Sequence, residues 1–436
     1  MNIQDNYNGD MPIVIATVGG AGTRMYPLTL SMPKPLVPIC NYPILRRLFE
    51  ILATQGCREF IFASSGVENT LRLNEYFKWG TEFSTRLELE PWALFRYQPN
   101  YKDKGSADAA RVCMEYFNIN KDVVVVCGDH IMDIDIDRLM RFHRERQALM
   151  TIGLIKVDDV SQYGVAKLGD NNLIEGFVEK PAPGQEPSKL ANIGVYVLSP
   201  RIRDVFKKME QDKSANIADF GYDVIPYLTG KGYSVYGYVT ERYWNDVGTP
   251  ERYLQTTMDL LHHRLEHIRL GRGRYGSGKQ RIHETTMSRI KNKMESNEVD
   301  IEGYVMIGGD CEIGRGVKIV DSCIGDNCII EDGVTIKGSV VMNFTNICSG
   351  SYLNKCIVGM HSNIGRNCLI DGDIEIDSKL ATGKVPIIGE NVILFNGSVI
   401  GPGKRVAPIT KSHCVLSTGK FIELGMDTQN LYFINK

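Results

Sequence analysis

The fold is decided by an apolar run and the glycine-rich loop that follows it: residues 13–36 are IVIATVGGAGTRMYPLTLSMPKPL. The run at 13–17 carries no charge, which predicts a buried β-strand. Because glycine lacks a Cβ, a loop with several glycines lets backbone N–H groups approach an anion closely. The glycines of this loop are Gly19, Gly20 and Gly22. The stretch therefore predicts a strand followed by a loop suited to phosphate.

Two cations follow these glycines. Arg24 and Lys34 place fixed positive charges near the loop, and phosphate groups are the ligands that such a loop fits. The alternative is a tight strand-to-helix turn with two solvated cations. The spacing of Arg24 and of the Pro-Lys-Pro at 33–35 favours phosphate binding.

Short apolar runs alternate with helical patterns through residues 11–250. Residues 43–52 have apolar positions at helical spacing, whereas 60–63 and 123–127 are continuous apolar runs. Such runs are typical of parallel strands that are covered on both faces. The alternation predicts an α/β fold with a Rossmann-like, doubly wound sheet. Ligands of these sheets bind beyond the carboxyl ends of the strands, where the glycine-rich loop is expected to lie.

An acidic residue stands at a second strand end of this kind. Gly128, Asp129 and His130 follow the apolar run at 123–127. A carboxylate in this position is suited to Mg²⁺, a hard cation that prefers oxygen ligands. The alternative for Asp129 is a turn or helix-capping aspartate. We interpret His130 as a partly buried loop histidine.

Composition restricts the class of protein. The chain has 436 residues, a formal net charge of −2 and 23% charged residues, which argues against a general nucleic-acid binder. Residues 1–10 lack the pattern of a signal peptide, and no apolar run approaches the roughly 20 residues that span a bilayer. The 11 cysteines have no paired C-x-x-C spacing. We expect a reduced, cytoplasmic protein without a membrane or nucleic-acid partner.

A six-residue aliphatic period occupies the C-terminal part of the chain. It begins at Ile301 and runs through Ile307, Ile313 and Ile319, then resumes after a slip of one residue at Ile324. It recurs as far as Val406, with Ile364, Ile370 and Ile376 among its members. This period predicts a parallel β-helix of about six coils, because each coil buries its aliphatic residues against the next. Similarity to hexapeptide-repeat proteins implies the left-handed form.

These patterns predict three segments: an α/β domain at 1–268, a glycine-rich basic linker at 269–298 and the β-helix at 299–436. A helix is expected from Glu251 to about His267, with Thr249 as its N-cap and Pro250 as its first residue. The four-residue spacing of His263 and His267 is compatible with a transition-metal site, although spacing alone favours ordinary surface histidines.

Residues 19–36 resemble the signature of the sugar-1-phosphate nucleotidyltransferases, also called NDP-sugar pyrophosphorylases. These enzymes join a nucleoside triphosphate (NTP) to a sugar 1-phosphate and release pyrophosphate. The resemblance implies catalytic roles for Arg24, Lys34 and Asp129, and Mg²⁺ held by Asp129 and Asp246. It implies nucleotide binding by Gly19, Gly20, Gly22, Thr23, Gln98 and Gly105. It implies sugar-phosphate binding by Gly164, Glu179, Lys180 and Asn192.

The resemblance leaves the substrates open. The Pro-Lys-Pro segment combined with a hexapeptide domain is most similar to mannose-1-phosphate guanylyltransferases. Uridylyl, thymidylyl or adenylyl transfer to glucose 1-phosphate are the alternatives. The second domain implies a homo-oligomer. Two further alternatives are a sugar acyltransferase in the β-helix that uses His361 as general base, and a regulatory paralogue without catalysis.

Overall fold

The structure is a computed structural model. It describes residues 11–20, 22–30, 32–64, 66–99, 103–268, 270, 278–373, 375–376, 379–380, 385–390, 392–394, 399–400, 404–406, 413–417 and 420–424. Several predictions extend beyond these ranges. The start of the α/β domain at 1–10, the linker core at 271–277 and the tail at 425–436 all lie outside the described residues.

The described α-helices are α1 (Ile44–Thr54), α2 (Val67–Phe77), α3 (Thr81–Leu87), α4 (Ser106–Tyr116), α5 (Ile136–Glu145), α6 (Ile202–Gln211), α7 (Ile225–Gly230), α8 (Pro250–Leu261) and α9 (Glu284–Glu295). The first strands are β1 (Ile13–Thr17), β2 (Pro38–Ile39), β3 (Tyr42–Pro43), β4 (Glu59–Ala63), β5 (Leu94–Tyr97), β6 (Val123–Cys127), β7 (His130–Met132), β8 (Met150–Lys156), β9 (Gly164–Leu168), β10 (Ile174–Glu179), β11 (Leu190–Leu198), β12 (Val235–Thr240) and β13 (Trp244–Asp246).

The later strands are short and closely spaced. They are β14 (Gln280–Ile282), β15 (Val299–Glu302), β16 (Val305–Ile307), β17 (Glu312–Ile313), β18 (Val317–Val320), β19 (Cys323–Ile324), β20 (Ile329–Ile330), β21 (Thr335–Lys337), β22 (Val340–Val341), β23 (Asn346–Ile347), β24 (Tyr352–Asn354), β25 (Ile357–Val358), β26 (Asn363–Ile364), β27 (Leu369–Asp371), β28 (Glu375–Ile376), β29 (Lys379–Leu380), β30 (Ile387–Ile388), β31 (Ile393–Leu394), β32 (Val399–Ile400), β33 (Lys404–Val406), β34 (His413–Ser417) and β35 (Lys420–Leu424).

Contacts within the chain define two compact units. The first takes its residues from 11–20, 44–246 and 266–268, and the second from 21–43, 247–265 and the chain after 268. The signature loop beyond Gly20 therefore belongs to the second unit, together with the C-terminal strands. Residues 280–295, inside the expected linker, form β14 and α9, and β14 pairs with β16.

The first unit is organised around a mixed sheet with the strand order β10-β9-β11-β6-β1-β4-β5. The four strands from β6 to β5 are parallel, as the apolar runs predict. β11 then pairs antiparallel with β6, so the sheet is not purely parallel. The predicted strands at 13–17 and 123–127 are confirmed residue for residue, and the helix expected at 43–52 is α1. The fold is Rossmann-like.

The second unit contains three sheets of short parallel strands, which follow the orders β16-β19-β22-β25-β30, β15-β18-β21-β24-β27-β32 and β17-β20-β23-β26-β31. In most adjacent strands the paired positions are 17 residues apart, as from Val340 to Ile357, whereas β15 and β18 are offset by 18, as from Val299 to Val317. Three hexapeptides per coil would give the larger offset. The difference is the one-residue slip of the aliphatic period, such as that between Ile319 and Ile324.

Small polar side chains link successive levels of these sheets. Buried Cys311 donates its thiol to Gly325 O at 3.1 Å, Cys328 donates to Met342 O at 3.3 Å, and Thr345 donates its hydroxyl to Gly359 O at 3.0 Å. Buried backbone carbonyls that would otherwise lack a donor are thereby satisfied. The cysteines whose side chains the structure describes are all free thiols.

One prediction about the repeat and one about a helix are wrong in detail. Ile376, counted as a repeat aliphatic, pairs instead with Lys379 in the antiparallel β28–β29 pair. Helix α8 has the predicted Thr249 cap, which accepts from Arg252 N at 3.3 Å, but it ends at Leu261 rather than His267. The helix stops because His263 adopts a left-handed φ of 59°, which breaks the helical hydrogen-bond pattern. Among the described residues, every helix is too short or too polar to span a bilayer.

Adjacent isoleucines in β20 test the inward face of these sheets. Ile330 is 1% exposed within the core, whereas Ile329 is 45% exposed. We expect Ile330→Ala to lower the free energy of unfolding by about 2–5 kcal/mol, since it leaves a cavity among packed aliphatic side chains. Ile329→Ala is the matched control, with an expected loss below about 1 kcal/mol. Denaturant unfolding measures both, and equal losses would contradict the assigned faces.

Candidate functional site

The carboxyl ends of two parallel strands form one edge of the first unit. Thr17, the last residue of β1, pairs with Cys127, the last residue of β6. Gly128 N donates to Thr17 O at 2.9 Å, so the two following loops leave the sheet side by side. A Cβ on Gly128 would lie 2.5 Å from Val18 Cγ1, which is why a glycine is needed at this position. This edge is where the sequence predicts the ligand.

Asp129 and Asp246 come together at this edge, as the resemblance implies. Asp246 lies in β13, which pairs antiparallel with β7 so that Asp246 stands opposite His130. His130 Nε2 lies 3.7 Å from Asp129 Oδ1 and 3.7 Å from Asp246 Oδ1. His130 is therefore a strand residue between two carboxylates, which corrects its interpretation as a loop histidine. The donor atoms of Cys127, Asp129 and His130 lie within 4.8 Å of one another, an arrangement that could hold a metal ion, and Asp246 Oδ1 is close to the same ring nitrogen.

The predicted sugar-phosphate residues meet where β9 pairs with β10. Gly164 and Glu179 are opposite each other in this pair, and a Cβ on Gly164 would lie 2.5 Å from Glu179 Oε2. Lys180 follows directly, with its Nζ 4.0 Å from Glu179 Oε1 and its backbone N–H donating to Tyr163 O at 3.0 Å. Glu179 is mostly buried and Lys180 is half-exposed. The Glu179 carboxylate and the Lys180 ammonium group therefore lie next to each other at the end of β10.

The environment of Glu179 is low in polarity and already negative. Burial raises the pKa of the Glu179 carboxyl, Lys180 opposes the shift, and the nearby charge of Asp219 adds to it. A Cβ on Gly221 would lie 2.2 Å from Glu179 Oε2, so the backbone of this segment packs directly against the carboxylate. The Glu179 carboxylate is consequently packed between the backbone at Gly164 and the backbone at Gly221.

Asn192 is positioned by two hydrogen bonds. Its Nδ2 donates to the Tyr196 hydroxyl at 2.8 Å, and its Oδ1 accepts from Gly194 N at 2.9 Å. The Tyr196 ring stacks on Phe220 with centroids 4.4 Å apart. Burial raises the pKa of Tyr196 well above its ordinary value, so this hydroxyl remains a neutral hydrogen-bonding partner. The arrangement holds the amide of Asn192 in one orientation.

Asp219 is a central residue that the sequence analysis missed. Its Oδ2 accepts from Ser106 Oγ at 2.9 Å, and its Oδ1 accepts from the backbone N–H groups of Gly221 and Tyr222 at 2.8 and 3.2 Å. Asp219 caps a π-helical turn, and an aspartate shortly before a proline-containing helix start is the signal that identifies such a cap. It fixes both the segment beside Glu179 and the start of α4.

Gly105, a nucleotide-binding candidate, is the N-cap residue of α4. A Cβ on Gly105 would lie 2.5 Å from Ala218 O, and Ala107 N donates to the same carbonyl at 3.0 Å. Gln98 is 2% exposed; its Nε2 donates to Asp103 Oδ2 at 3.1 Å, and its Oε1 accepts from Cys113 Sγ at 3.9 Å. Both ends of the Gln98 amide therefore have partners within the protein.

The signature loop brings Gly22 and Lys34 together within the second unit. Gly22 has a φ of 59°, and a Cβ there would lie 3.2 Å from Lys34 Cβ. Thr29 Oγ1 donates to Gly22 O at 2.8 Å and closes the loop. Lys34 is 7% exposed, whereas Thr23 and Arg24 lie in an exposed 3-10 turn. Gly19 and Gly20, at the end of the first unit, are also exposed.

The remaining histidine candidates have other surroundings. His263 contacts the Arg281 guanidinium, whereas His267 pairs with Asp133 in the first unit, so the expected four-residue helical spacing is not formed. The Asp133 hydrogen bond raises the pKa of His267. His361 is exposed and stacks on Phe344 with ring centroids 4.8 Å apart.

Comparisons with known proteins identify the family. Residues 12–263 match the family described as "Nucleotidyl transferase", and residues 301–413 match the family described as "GMPPB C-terminal domain". The chain is 30% identical to "Mannose-1-phosphate guanylyltransferase catalytic subunit beta" of Drosophila melanogaster, over 92% of this chain and 95% of that protein.

Two further relatives match over most of their length. The chain is 29% identical to "Probable mannose-1-phosphate guanylyltransferase 3" of Oryza sativa, over 89% of this chain and 95% of the relative. It is 28% identical to "UTP--glucose-1-phosphate uridylyltransferase" of Synechocystis sp., over 83% of this chain and 89% of the relative. The chain therefore belongs to the nucleotidyl transferase family and is a sugar-1-phosphate nucleotidyltransferase.

Proposed function

We propose that this enzyme transfers a guanylyl group from GTP to mannose 1-phosphate, which yields GDP-mannose and pyrophosphate. The observation that carries the choice is the match of residues 301–413 to the GMPPB C-terminal domain. Two relatives that match about nine-tenths of the chain are named mannose-1-phosphate guanylyltransferases, which supports this choice. Uridylyl transfer to glucose 1-phosphate is the second candidate, because a relative of similar identity has that name.

The proposed reaction is an in-line displacement. An oxygen of the mannose 1-phosphate attacks the α-phosphorus of GTP; this forms one P–O bond as the bond to the pyrophosphate oxygen breaks. Such transfers need positioning and charge neutralisation rather than covalent catalysis. We assign charge neutralisation on the triphosphate to Arg24 and Lys34, and backbone contacts to Gly19, Gly20, Gly22 and Thr23. Buried Lys34, held against the Gly22 loop, is suited to a fixed phosphate contact.

Asp129 and Asp246 would hold Mg²⁺. The donor set fits the ion, because both side chains offer carboxylate oxygens within 3.7 Å of one ring nitrogen at the same edge. A bound Mg²⁺ supplies a positive charge that offsets the charge of the α-phosphate during transfer. The β7–β13 pairing holds Asp246 opposite His130, the residue that follows Asp129.

At the other end, Lys180 would bind the phosphate of mannose 1-phosphate and Glu179 its hydroxyls. An ammonium group is a compact counter-charge for phosphate, and a carboxylate accepts two hydroxyl hydrogen bonds. Asn192 and the backbone at Gly164 would position the sugar ring. Gln98 and Gly105 would lie beside the nucleotide, although the amide of Gln98 already has partners and would have to exchange them to contact a base.

We further propose that the C-terminal strands form a left-handed β-helix that mediates homo-oligomerisation. The 17-residue parallel register supports stacked coils, and the resemblance to hexapeptide-repeat proteins implies the left-handed form. His361 is exposed and stacks on the Phe344 ring, and this contact gives an acyltransferase role no support.

Pyrophosphate release from purified enzyme tests the substrates. We expect the highest kcat/KM with GTP and mannose 1-phosphate in a panel of ATP, GTP, CTP, UTP and dTTP against mannose, glucose and galactose 1-phosphates. Selection of UTP with glucose 1-phosphate would replace the proposal by its second candidate. Release with no pair would favour a regulatory paralogue.

The metal role of Asp129 gives a second prediction. We expect Asp129→Asn to reduce kcat by at least about 100-fold, because it removes an anionic ligand at the point where charge is transferred. Exposed Asp137, on α5, provides the matched control Asp137→Asn, with unchanged kcat. Steady-state kinetics at several Mg²⁺ concentrations measure both, and a variant with wild-type kcat would remove Asp129 from the mechanism.

A third prediction separates the two substrates. We expect Lys180→Ala to raise KM for the sugar 1-phosphate by about tenfold or more and to leave KM for the NTP nearly unchanged, since only the former loses a phosphate contact. Lys167, an exposed lysine on neighbouring β9, gives the control Lys167→Ala. A rise confined to the NTP would assign Lys180 to the other substrate.

A further inference from the structure

His130 occupies the space between two carboxylates without bonding to either. Its Nε2 lies 3.7 Å from Asp129 Oδ1 and 3.7 Å from Asp246 Oδ1, beyond the 2.7–3.2 Å of an N–H···O hydrogen bond. Its side chain is 14% exposed, so the ring is largely enclosed. A nitrogen that faces two carboxylates at this separation is suited to bind one cation together with them.

The other ring nitrogen determines which tautomer is present. His130 Nδ1 lies 3.1 Å from Ile193 O, and Trp244 Nε1 lies 3.1 Å from the same oxygen and 3.3 Å from Nδ1. A carbonyl oxygen only accepts, and it has two lone pairs. If Nδ1 accepted from Trp244, its lone pair would face the Ile193 carbonyl oxygen. The three distances are instead satisfied when His130 Nδ1 and Trp244 Nε1 both donate to Ile193 O.

In the neutral ring, this arrangement directs the Nε2 lone pair toward Asp129 and Asp246. A histidine that donates one ring N–H to a backbone carbonyl and points the other nitrogen at anionic ligands has the usual arrangement of a metal-binding histidine. The ring is also held from behind, because Trp244 contacts it edge-on at 5.6 Å and Tyr163 packs on Trp244 at 5.1 Å. The orientation of Nε2 is therefore fixed by packing as well as by hydrogen bonding.

We propose that His130 Nε2 is a third protein ligand of the divalent cation held by Asp129 and Asp246. An imidazole nitrogen favours first-row transition ions over Mg²⁺, which prefers oxygen. The site would accordingly bind Mn²⁺ more tightly than Mg²⁺. Cys127 Sγ, which lies within 4.8 Å of both the Asp129 and the His130 donor atoms, is the competing soft ligand.

Mn²⁺ is the probe that tests this assignment in the full chain, alone and with inorganic pyrophosphate. Pulsed electron paramagnetic resonance detects a directly bound imidazole nitrogen through its ¹⁴N modulation. We expect this modulation in the wild type and its loss in His130→Asn. The asparagine amide occupies the place of Nδ1 and keeps the donor to Ile193 O, so the variant removes Nε2 alone. His361→Asn, at an exposed histidine of the second unit, is the matched control and keeps the modulation.

The affinities give a second readout. We expect His130→Asn to weaken Mn²⁺ binding by about tenfold or more and Mg²⁺ binding by much less. Thermal melting checks that the variant folds. Wild-type enzyme without ¹⁴N modulation in both conditions, or a variant whose Mn²⁺ affinity stays within twofold of wild type, overturns the proposal.

The proposal rests on the proposed function only through the cation at Asp129 and Asp246. A failure of GTP or mannose 1-phosphate as substrates leaves the Mn²⁺ readout unchanged. One outcome is that Asp129→Asn loses Mn²⁺ binding whereas His130→Asn retains it fully. This result would support a metal site at the carboxylates and would show that His130 is not one of its ligands. Modulation that persists in His130→Asn would also exclude His130 as the nitrogen ligand.

Discussion

The parallel pairing of β1 with β6 is the constraint on which the first unit depends. It runs from Ile13 opposite Val123 to Thr17 opposite Cys127, in strands that are almost fully buried. Because both strands end at the same level, the start of the glycine-rich loop and the Asp129 turn emerge together. The apolar burial that stabilises the sheet thereby also determines where its polar ligands appear, and no separate interaction is needed to bring the two loops to one edge.

The same edge concentrates negative charge in a poorly solvated region. The charges of Asp129, Asp246 and Asp219 all act with burial to raise the pKa of the Cys127 thiol. Burial and Asp219 similarly raise the pKa of Glu179, with Lys180 opposing. Like charges held together by the backbone disfavour ionisation, whereas a bound cation relieves their repulsion. The proposed cation at Asp129 and Asp246, and the proposed phosphate contact of Lys180, would both offset this arrangement of fixed charges.

Local patterns in the sequence predict the elements better than they predict the site. The runs at 13–17 and 123–127 become strands because a continuous apolar stretch has few alternatives in a covered sheet. The position of His130 opposite Asp246 depends on a strand pair whose partners are far apart in sequence, so no local period reveals it. Asp219 was missed for a related reason, because it accepts a hydrogen bond from the hydroxyl of Ser106, which is distant in sequence. The end of α8 at Leu261 depends on one left-handed residue within an otherwise helical pattern.

The C-terminal strands demonstrate why a repeat can be predicted from its period yet still contain an exception. Each level bonds chiefly to its neighbours, so the register is set again at every level. Between β27 and β30 the offset of bonded positions rises from 17 residues to 30, yet all three sheets continue in parallel register. An insertion between two levels costs mainly loop closure, which grows slowly with length. The aliphatic spacing continues through Ile376 although that residue has left the stack, because a period in the sequence records composition and only the backbone hydrogen bonds define the register.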